Sequence, residues 1–312
     1  MNLSAVRDES VALASFVRAV RPPFLLLTLA VCLVGLATSA AQGVPLHGGY
    51  AAATLFLALL AHAAANVWND CGDAVIGTDA INVRRITPFT GGSRVIQNGE
   101  ISAPEMRRFA LALAGVSIGG GLLLAGLRGP GLLGVGLAGA CLGWAYSQPR
   151  LALMSRGLGE LAVGASWALV VVGADFVQRG QFAALPLTAS VGVALLVAAL
   201  LSLNQIPDID ADRACGKRTL AVRLGEVASS RMHAAFSLGA YGWLAFAIAT
   251  SRLPATAACA GLALPLGAAA IRGAYRHVGP RGGDLGPALR ANVLHVLTHT
   301  ALLAIGLLLA AP

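Results

Sequence analysis

The chain has 312 residues, of which 57% are hydrophobic and only 12% charged. A soluble domain carries roughly 25% charged residues, so the composition excludes an ordinary soluble fold and points to a membrane protein. The formal net charge of +8 needs no nucleic-acid partner, because cationic loops facing anionic lipid account for it.

Apolar runs of about 20 residues, the length that crosses a bilayer core, recur along the whole sequence. They predict nine spans, at roughly 23–42, 48–68, 108–126, 130–147, 158–177, 184–204, 233–251, 253–271 and 291–310. The connections leave little room for a soluble domain. Residues 1–312 are therefore expected to form one domain, an all-α, multi-pass integral membrane bundle of nine transmembrane helices. The first span is too long, and its flanks too poorly matched, for a cleaved signal peptide. Gly115 with Gly119, and Gly139 with Gly143, have the small-x-x-x-small spacing that lets helix backbones approach in lipid. Cys32, Cys71, Cys141, Cys215 and Cys259 show no metal-ligand spacing.

Basic residues set the orientation. With a cytoplasmic N-terminus, every Arg and Lys except Arg128, Arg179 and Arg252 falls on the inner side, from Arg7 to Arg281 and Arg290. This predicts a cell (inner) membrane protein whose N-terminus and two long inner loops, about 69–107 and 205–232, are cytoplasmic.

Both loops open with acidic residues. "NVWNDCGDAVIGTD" (66–79) follows the second span, and "NQIPDIDADRACGKRT" (204–219) follows the sixth. At 100° per residue, Asn66, Asn69, Asp70 and Asp73 fall within an arc of about 100°. Asn204, Asp208 and Asp212 share a face at i, i+4, i+8, while Asp210 points away. Carboxylates near membrane depth mark function by default. Two facing ridges of this kind would repel unless a cation sat between them, and hard oxygen ligands suit Mg²⁺ completed by substrate phosphates. Arg84, Arg85, Arg94, Lys217 and Arg218 lie near enough in sequence to clamp phosphate oxygens. With Asn66, Arg156 and Asn204 they form the candidate substrate-binding set. A diphosphate head at the end of a lipid-facing bundle implies a tail in the membrane, hence a prenyl diphosphate. His62, His295 and His299 read as buried hydrogen-bonded groups or cavity lining, and Asp175 as a partner of Arg179 four residues on.

These residues resemble the UbiA superfamily of intramembrane prenyltransferases. The family's N-x-x-x-D motif after the second span matches Asn69–Asp73, and its D-x-x-x-D motif after the sixth matches Asp208–Asp212. "NDCGDAVIGTD", "RGLGE" and "DIDADRACGKRTLAVRLG" look most like the branch that prenylates 1,4-dihydroxy-2-naphthoate in menaquinone biosynthesis. The resemblance implies that Asn69, Asp73, Asp208 and Asp212 hold Mg²⁺. It also implies that Asp79 orients the aromatic acceptor or removes its proton, that Tyr146 lies near the bond that breaks, and that Asp70 assists. The acceptor stays open between this naphthoate and 4-hydroxybenzoate, homogentisate or a tetrapyrrole. Two rival classes are a cation-coupled transporter, which would place carboxylates near the midplane on broken helices, and a phosphatidyl-type alcohol transferase, whose single dense acidic motif is missing here.

Overall fold

A computed structural model describes residues 13–148, 150–280 and 282–312. Arg7 and Arg281, which the charge pattern places on the inner side, lie outside the described residues.

The described chain is helical, with no strand among the described residues. Its long elements are α1 (Pro22–Ala41), α2 (Gly48–Ile76), α3 (Ala103–Arg128), α4 (Gly131–Ser147), α5 (Gly159–Arg179), α6 (Ala184–Asn204), α7 (Leu220–Ala249), α8 (Leu264–His277) and α9 (Gly286–Leu308). A 3₁₀ segment, Ala255–Ala263, leads directly into α8. Eight segments are long and apolar enough to cross a membrane, and α4, with 17 residues, is a shorter apolar helix. The predicted runs coincide broadly with these elements, the eighth with the 3₁₀ segment and α8 together. Toward the acidic segments α2, α3, α7, α8 and α9 extend beyond their apolar runs, which is how polar side chains come to sit on the rigid helices.

Local sequence explains the boundaries. Pro22 and Pro23 open α1, where a missing N–H costs nothing. Ser102 and Glu105 form a reciprocal capping box at the start of α3. Gly77, at φ 90°, ends α2 by donating its N–H to the Asp73 carbonyl. Within α7, Gly225 is non-helical and joins two helices across a kink.

The main core lies among α1, α5, α6, α7 and α9, with Val31, Val34, Val171, Val193, Leu196, Leu303 and Leu307 buried together. α1 packs closely on α5: a Cβ on Gly35 would lie 2.4 Å from the Val171 carbonyl oxygen. Near the C-terminal end of α5, buried Asp175 accepts from Thr38 (2.9 Å), Ser39 (2.8 Å) and Arg179 (2.9 Å), so the partner read from sequence is joined by two hydroxyls on α1. Leu111, Leu122, Leu123, Leu127, Leu133 and Leu137 on α3 and α4 are exposed, the pattern of a lipid-facing surface.

The glycine spacing does not do what the sequence suggests. A Cβ on Gly115, Gly119, Gly139 or Gly143 would meet nothing within 4 Å. These glycines lie where α3 and α4 have no close neighbour, and spacing alone does not reveal which side of a helix faces lipid. The close approaches use Gly35, Gly120, Gly267, Gly273 and Gly306 instead.

Candidate active site

The two acidic segments meet at one end of the bundle. α2 continues as one helix through Asp73, but its polar residues divide between two directions. Asn66 donates to the Val20 carbonyl (3.0 Å), and Asp70 pairs with Arg21 and with the Ser93 hydroxyl. Asn69 donates to Ser147 at the end of α4 (3.1 Å), and Asp73 accepts from Lys217 (2.8 Å). Asp73 therefore faces the second segment and Asn69 the end of α4, while Asn66 and Asp70 face the turn that joins the helical residues 13–19 to α1.

The second segment departs from the continuous helix that the sequence suggested. α6 ends at Asn204, and a 3₁₀ turn, Ile206–Asp208, leads into a short helix, Ile209–Ala214. Pro207 is the reason: it has no N–H to donate, and it disfavours the α conformation in the residue before it. The regular i, i+4, i+8 ridge from Asn204 is thus broken, although Asp212 stays buried and turned inward. Lys217 Nζ lies 3.5 Å from Asp212 as well as 2.8 Å from Asp73, bridging the segments. Burial penalises this ammonium, but Asp73 and Asp212 more than offset that and hold its pKa above the usual lysine value.

Asp79 lies in the short helix Thr78–Ile81 that follows α2. Arg94, at a left-handed φ of 62°, donates to the Asp79 carbonyl. The Asp79 carboxylate rests over Gly92, where an added Cβ would lie 2.3 Å from Oδ2, so only glycine fits. That oxygen is buried without a hydrogen-bond partner. Burial pushes the Asp79 carboxyl up to about 7, with Asp73 and Asp70 adding to the shift. Asn82, on the same loop, donates to Asp208 Oδ1 at 2.6 Å, and its own Oδ1 is buried and unpartnered, as is that of Asn204.

Other candidates lie elsewhere. Arg84 is exposed and donates to Asp210 and Glu226, both at 2.8 Å, at the solvent-facing edge of the loop. Arg85, Arg156 and Arg218 are also exposed. Arg85 donates to Thr87, and Arg156 to the Arg150 carbonyl. These four already have protein partners or face away, because arginines at a membrane surface serve topology as readily as phosphate. Tyr146 is half-buried, one residue before the Ser147 that holds Asn69. His62 bonds Thr28 (2.8 Å) and His295 bonds Tyr241 (2.8 Å), so both serve helix packing.

Sequence reasoning missed Arg21 and Asn82. Arg21, at φ 53°, pairs with buried Asp70. Burial works against its charge, and Asp70, Asp79 and Asp73 together hold its pKa above the ordinary arginine value. The one sequence signal was its place immediately before Pro22, at the mouth of the first span.

The chain matches the family model "UbiA prenyltransferase family" over residues 27–281. It belongs to the UbiA prenyltransferase family. It is accordingly a prenyltransferase enzyme and a multi-pass membrane protein, and the transporter and alcohol-transferase readings fall away. Curated relatives include the 1,4-dihydroxy-2-naphthoate octaprenyltransferase of Escherichia coli (strain K12), 30% identical over 74% of this chain and 75% of that protein. The protein of the same name from Mycobacterium tuberculosis (strain ATCC 25618 / H37Rv) is 32% identical over 79% of this chain and 83% of its own length. Among solved structures, an apo UbiA homologue from Aeropyrum pernix K1 superposes with a TM-score of 0.68 at 17% identity, covering 89% of this chain and 97% of that one. A UbiA homologue from Archaeoglobus fulgidus bound to DMAPP and Mg²⁺ gives a TM-score of 0.62 at 15% identity, covering 93% and 99%. At these identities the structures establish the UbiA fold alone.

Proposed function

We propose that this UbiA family enzyme transfers an isoprenoid chain from a prenyl diphosphate to 1,4-dihydroxy-2-naphthoate, in a reaction dependent on Mg²⁺. The supporting observation is the Lys217 bridge between Asp73 and Asp212, which brings residues 139 positions apart in sequence into one polar site at the end of a lipid-facing bundle. The naphthoate acceptor is supported by the curated relatives of that name.

The residues fit a hard divalent cation. Of the four motif residues, Asp212 has a buried Oδ1 with no hydrogen-bond partner. No three His, Cys, Asp or Glu side chains among the described residues are gathered tightly enough to hold a metal alone. That donor set suits Mg²⁺, which commonly takes one or two carboxylates and completes its shell with substrate phosphates. Asn69, Asp73, Asp208 and Asp212 would hold it, and when bound it would neutralise charge on the departing diphosphate.

The chain's own groups supply the rest. On this reading Lys217 and Arg94 meet diphosphate oxygens, as preorganised charge at the point where charge develops. Tyr146 and the apolar ends of α4 and α5 exclude water from the allylic cation left when the C1–O bond breaks. The acceptor carbon that bears the carboxylate then bonds to C1, and the bond from that carbon to the carboxylate breaks, releasing CO₂ and returning its electron pair to the ring. Asp79, whose carboxyl exchanges protons near neutral pH, orients the acceptor hydroxyl. Arg21 and Asp70 hold the wall beside it. On this reading the N-terminus and both acidic segments face the cytoplasm of a cell (inner) membrane, and membrane lipid surrounds α3 and α4.

The test is incubation of membranes containing the protein with radiolabelled prenyl diphosphate and a panel of aromatic acceptors, with and without EDTA. Labelled product with the dihydroxynaphthoate, lost in EDTA and restored by Mg²⁺, is expected. Preference for 4-hydroxybenzoate, homogentisate or a tetrapyrrole would replace the acceptor, and full turnover in EDTA would remove the metal.

A further inference from the structure

We propose that Asn82 is a positioning residue that fixes the orientation of the Asp208 carboxylate in this site. The inference rests on the metal–diphosphate reading above and adds a residue outside both acidic motifs.

Asp208 is the N-cap residue of the short helix Ile209–Ala214, yet its side chain makes no capping hydrogen bond. Asp208 has helical dihedrals at the end of the 3₁₀ turn (φ −91°, ψ −7°), so its side chain is not set to cap the helix that follows. Here the carboxylate turns instead to Asn82 Nδ2, at 2.6 Å across 126 residues of sequence. The local chain therefore does not set the direction of Asp208; the first inner loop does. Asn82 is itself held firmly. It is 4% exposed, and its N–H donates to the Thr78 carbonyl to close the short helix that carries Asp79. Asp79 and Asn82 are three residues apart and so share a face of that turn. Outside them, the pairs of Arg84 with Asp210 and Glu226 join the same loop to the second segment and to α7.

The residue type fits the task. A neutral amide donates without cancelling the carboxylate's charge, so Asp208 keeps its attraction for a cation; Arg or Lys at this point would compete with it. The bond uses Asp208 Oδ1, and the amide oxygen of Asn82 remains buried and free of partners.

The experiment uses the full chain in detergent and measures binding of Mn²⁺ with inorganic pyrophosphate by calorimetry, without prenyl substrate or turnover. Asn82→Ala is expected to weaken this binding about tenfold. Asn82→Asp cannot donate when ionised and faces Asp208 with like charge, so it should weaken binding at least as much. In an Asp208→Asn background, Asn82→Ala should add nothing further, because it acts through that carboxylate. If Asn82→Ala does not purify, Asn82→Ser, which keeps a donor, is read instead and should lose less than Asp208→Asn. Tighter binding by Asn82→Asp would make the side chain a ligand and overturn the positioning role. Unchanged binding by Asn82→Ala, or additive losses in the double variant, would overturn it too. If the unaltered protein binds no Mn²⁺ with pyrophosphate, the metal reading itself falls, an outcome distinct from all of these.

Discussion

The Lys217 ammonium lies 2.8 Å from Asp73 and 3.5 Å from Asp212, so the one lysine of the chain joins its two acidic segments. Removing one partner of a buried ionic cluster leaves charge uncompensated, at a cost of about 3–5 kcal/mol. Lys217→Met is expected to lower the unfolding temperature of the protein in EDTA and to cut turnover by about a hundredfold or more. Lys217→Arg keeps the charge but replaces a compact point charge with a planar fork, and should fall between the two. Near wild-type turnover by purified Lys217→Met would exclude this lysine from the reaction.

Asp208 and Asp210 are two residues apart and face opposite ways. Asp210 has 59% of its side chain exposed and pairs with Arg84 and Arg213, contacts that contribute about 0–1 kcal/mol. Asp210→Asn should therefore keep most activity. Asp208→Asn, equally conservative in shape, should lose more than about tenfold, or 1.4 kcal/mol of transition-state stabilisation. Comparable losses in the two variants, measured as kcat/KM for the prenyl diphosphate, would mean that the carboxylates do not divide as the structure shows.

The acidic residues were legible in the sequence because a chain this apolar places few charges near membrane depth without function. The helices were legible because lipid forces every backbone group to pair within its own segment. Arg21 and Asn82 were not. An arginine before the first span is also what topology demands, and an asparagine in a polar loop looks solvated until the fold buries it 2.6 Å from Asp208. The break after Asn204 was written in Pro207, but helical phase assumed through a proline overrode it. The outward turn of Arg84 depends on the positions of Asp210 and Glu226, which no local pattern encodes.

Asp79 makes a pH dependence of stability. Burial holds its folded carboxyl at about 7, against an ordinary aspartate value of 3.8, so the folded state holds its proton more tightly than the unfolded chain. The stabilisation is present in full below the unfolded value and is lost as pH rises through the folded one. In EDTA the unfolding temperature should thus fall between about pH 4 and about pH 7. Asp79→Asn, which keeps the shape without the charge, should flatten that fall and be the more stable variant at the alkaline end. An identical slope in both proteins, followed by thermal unfolding in detergent, would place the titration elsewhere.

α4 decides the topology. Its 17 residues rise about 25 Å, short of a hydrocarbon core of roughly 30 Å. Yet it begins just after Arg128, which bonds the Val177 and Gln178 carbonyls at the far end of α5, and it ends at Ser147, bonded to Asn69 beside the acidic site. It therefore runs from one end of the bundle to the other, and modest thinning of the bilayer or anchoring of its flanks accommodates the shortfall. If α4 crosses, the chain makes an odd number of passes, and its two ends lie on opposite sides. Reporter fusions at Gly99, before α3, and at Pro312 should then report opposite compartments, with Gly99 cytoplasmic because the loop around it carries Arg84, Arg85, Arg94, Arg107 and Arg108. The same compartment at both sites would mean that α4 turns back within the membrane. That result would separate Tyr146 and Ser147 from the face that carries Asn69 and Asp73, and would contradict the Asn69–Ser147 hydrogen bond on which their placement depends.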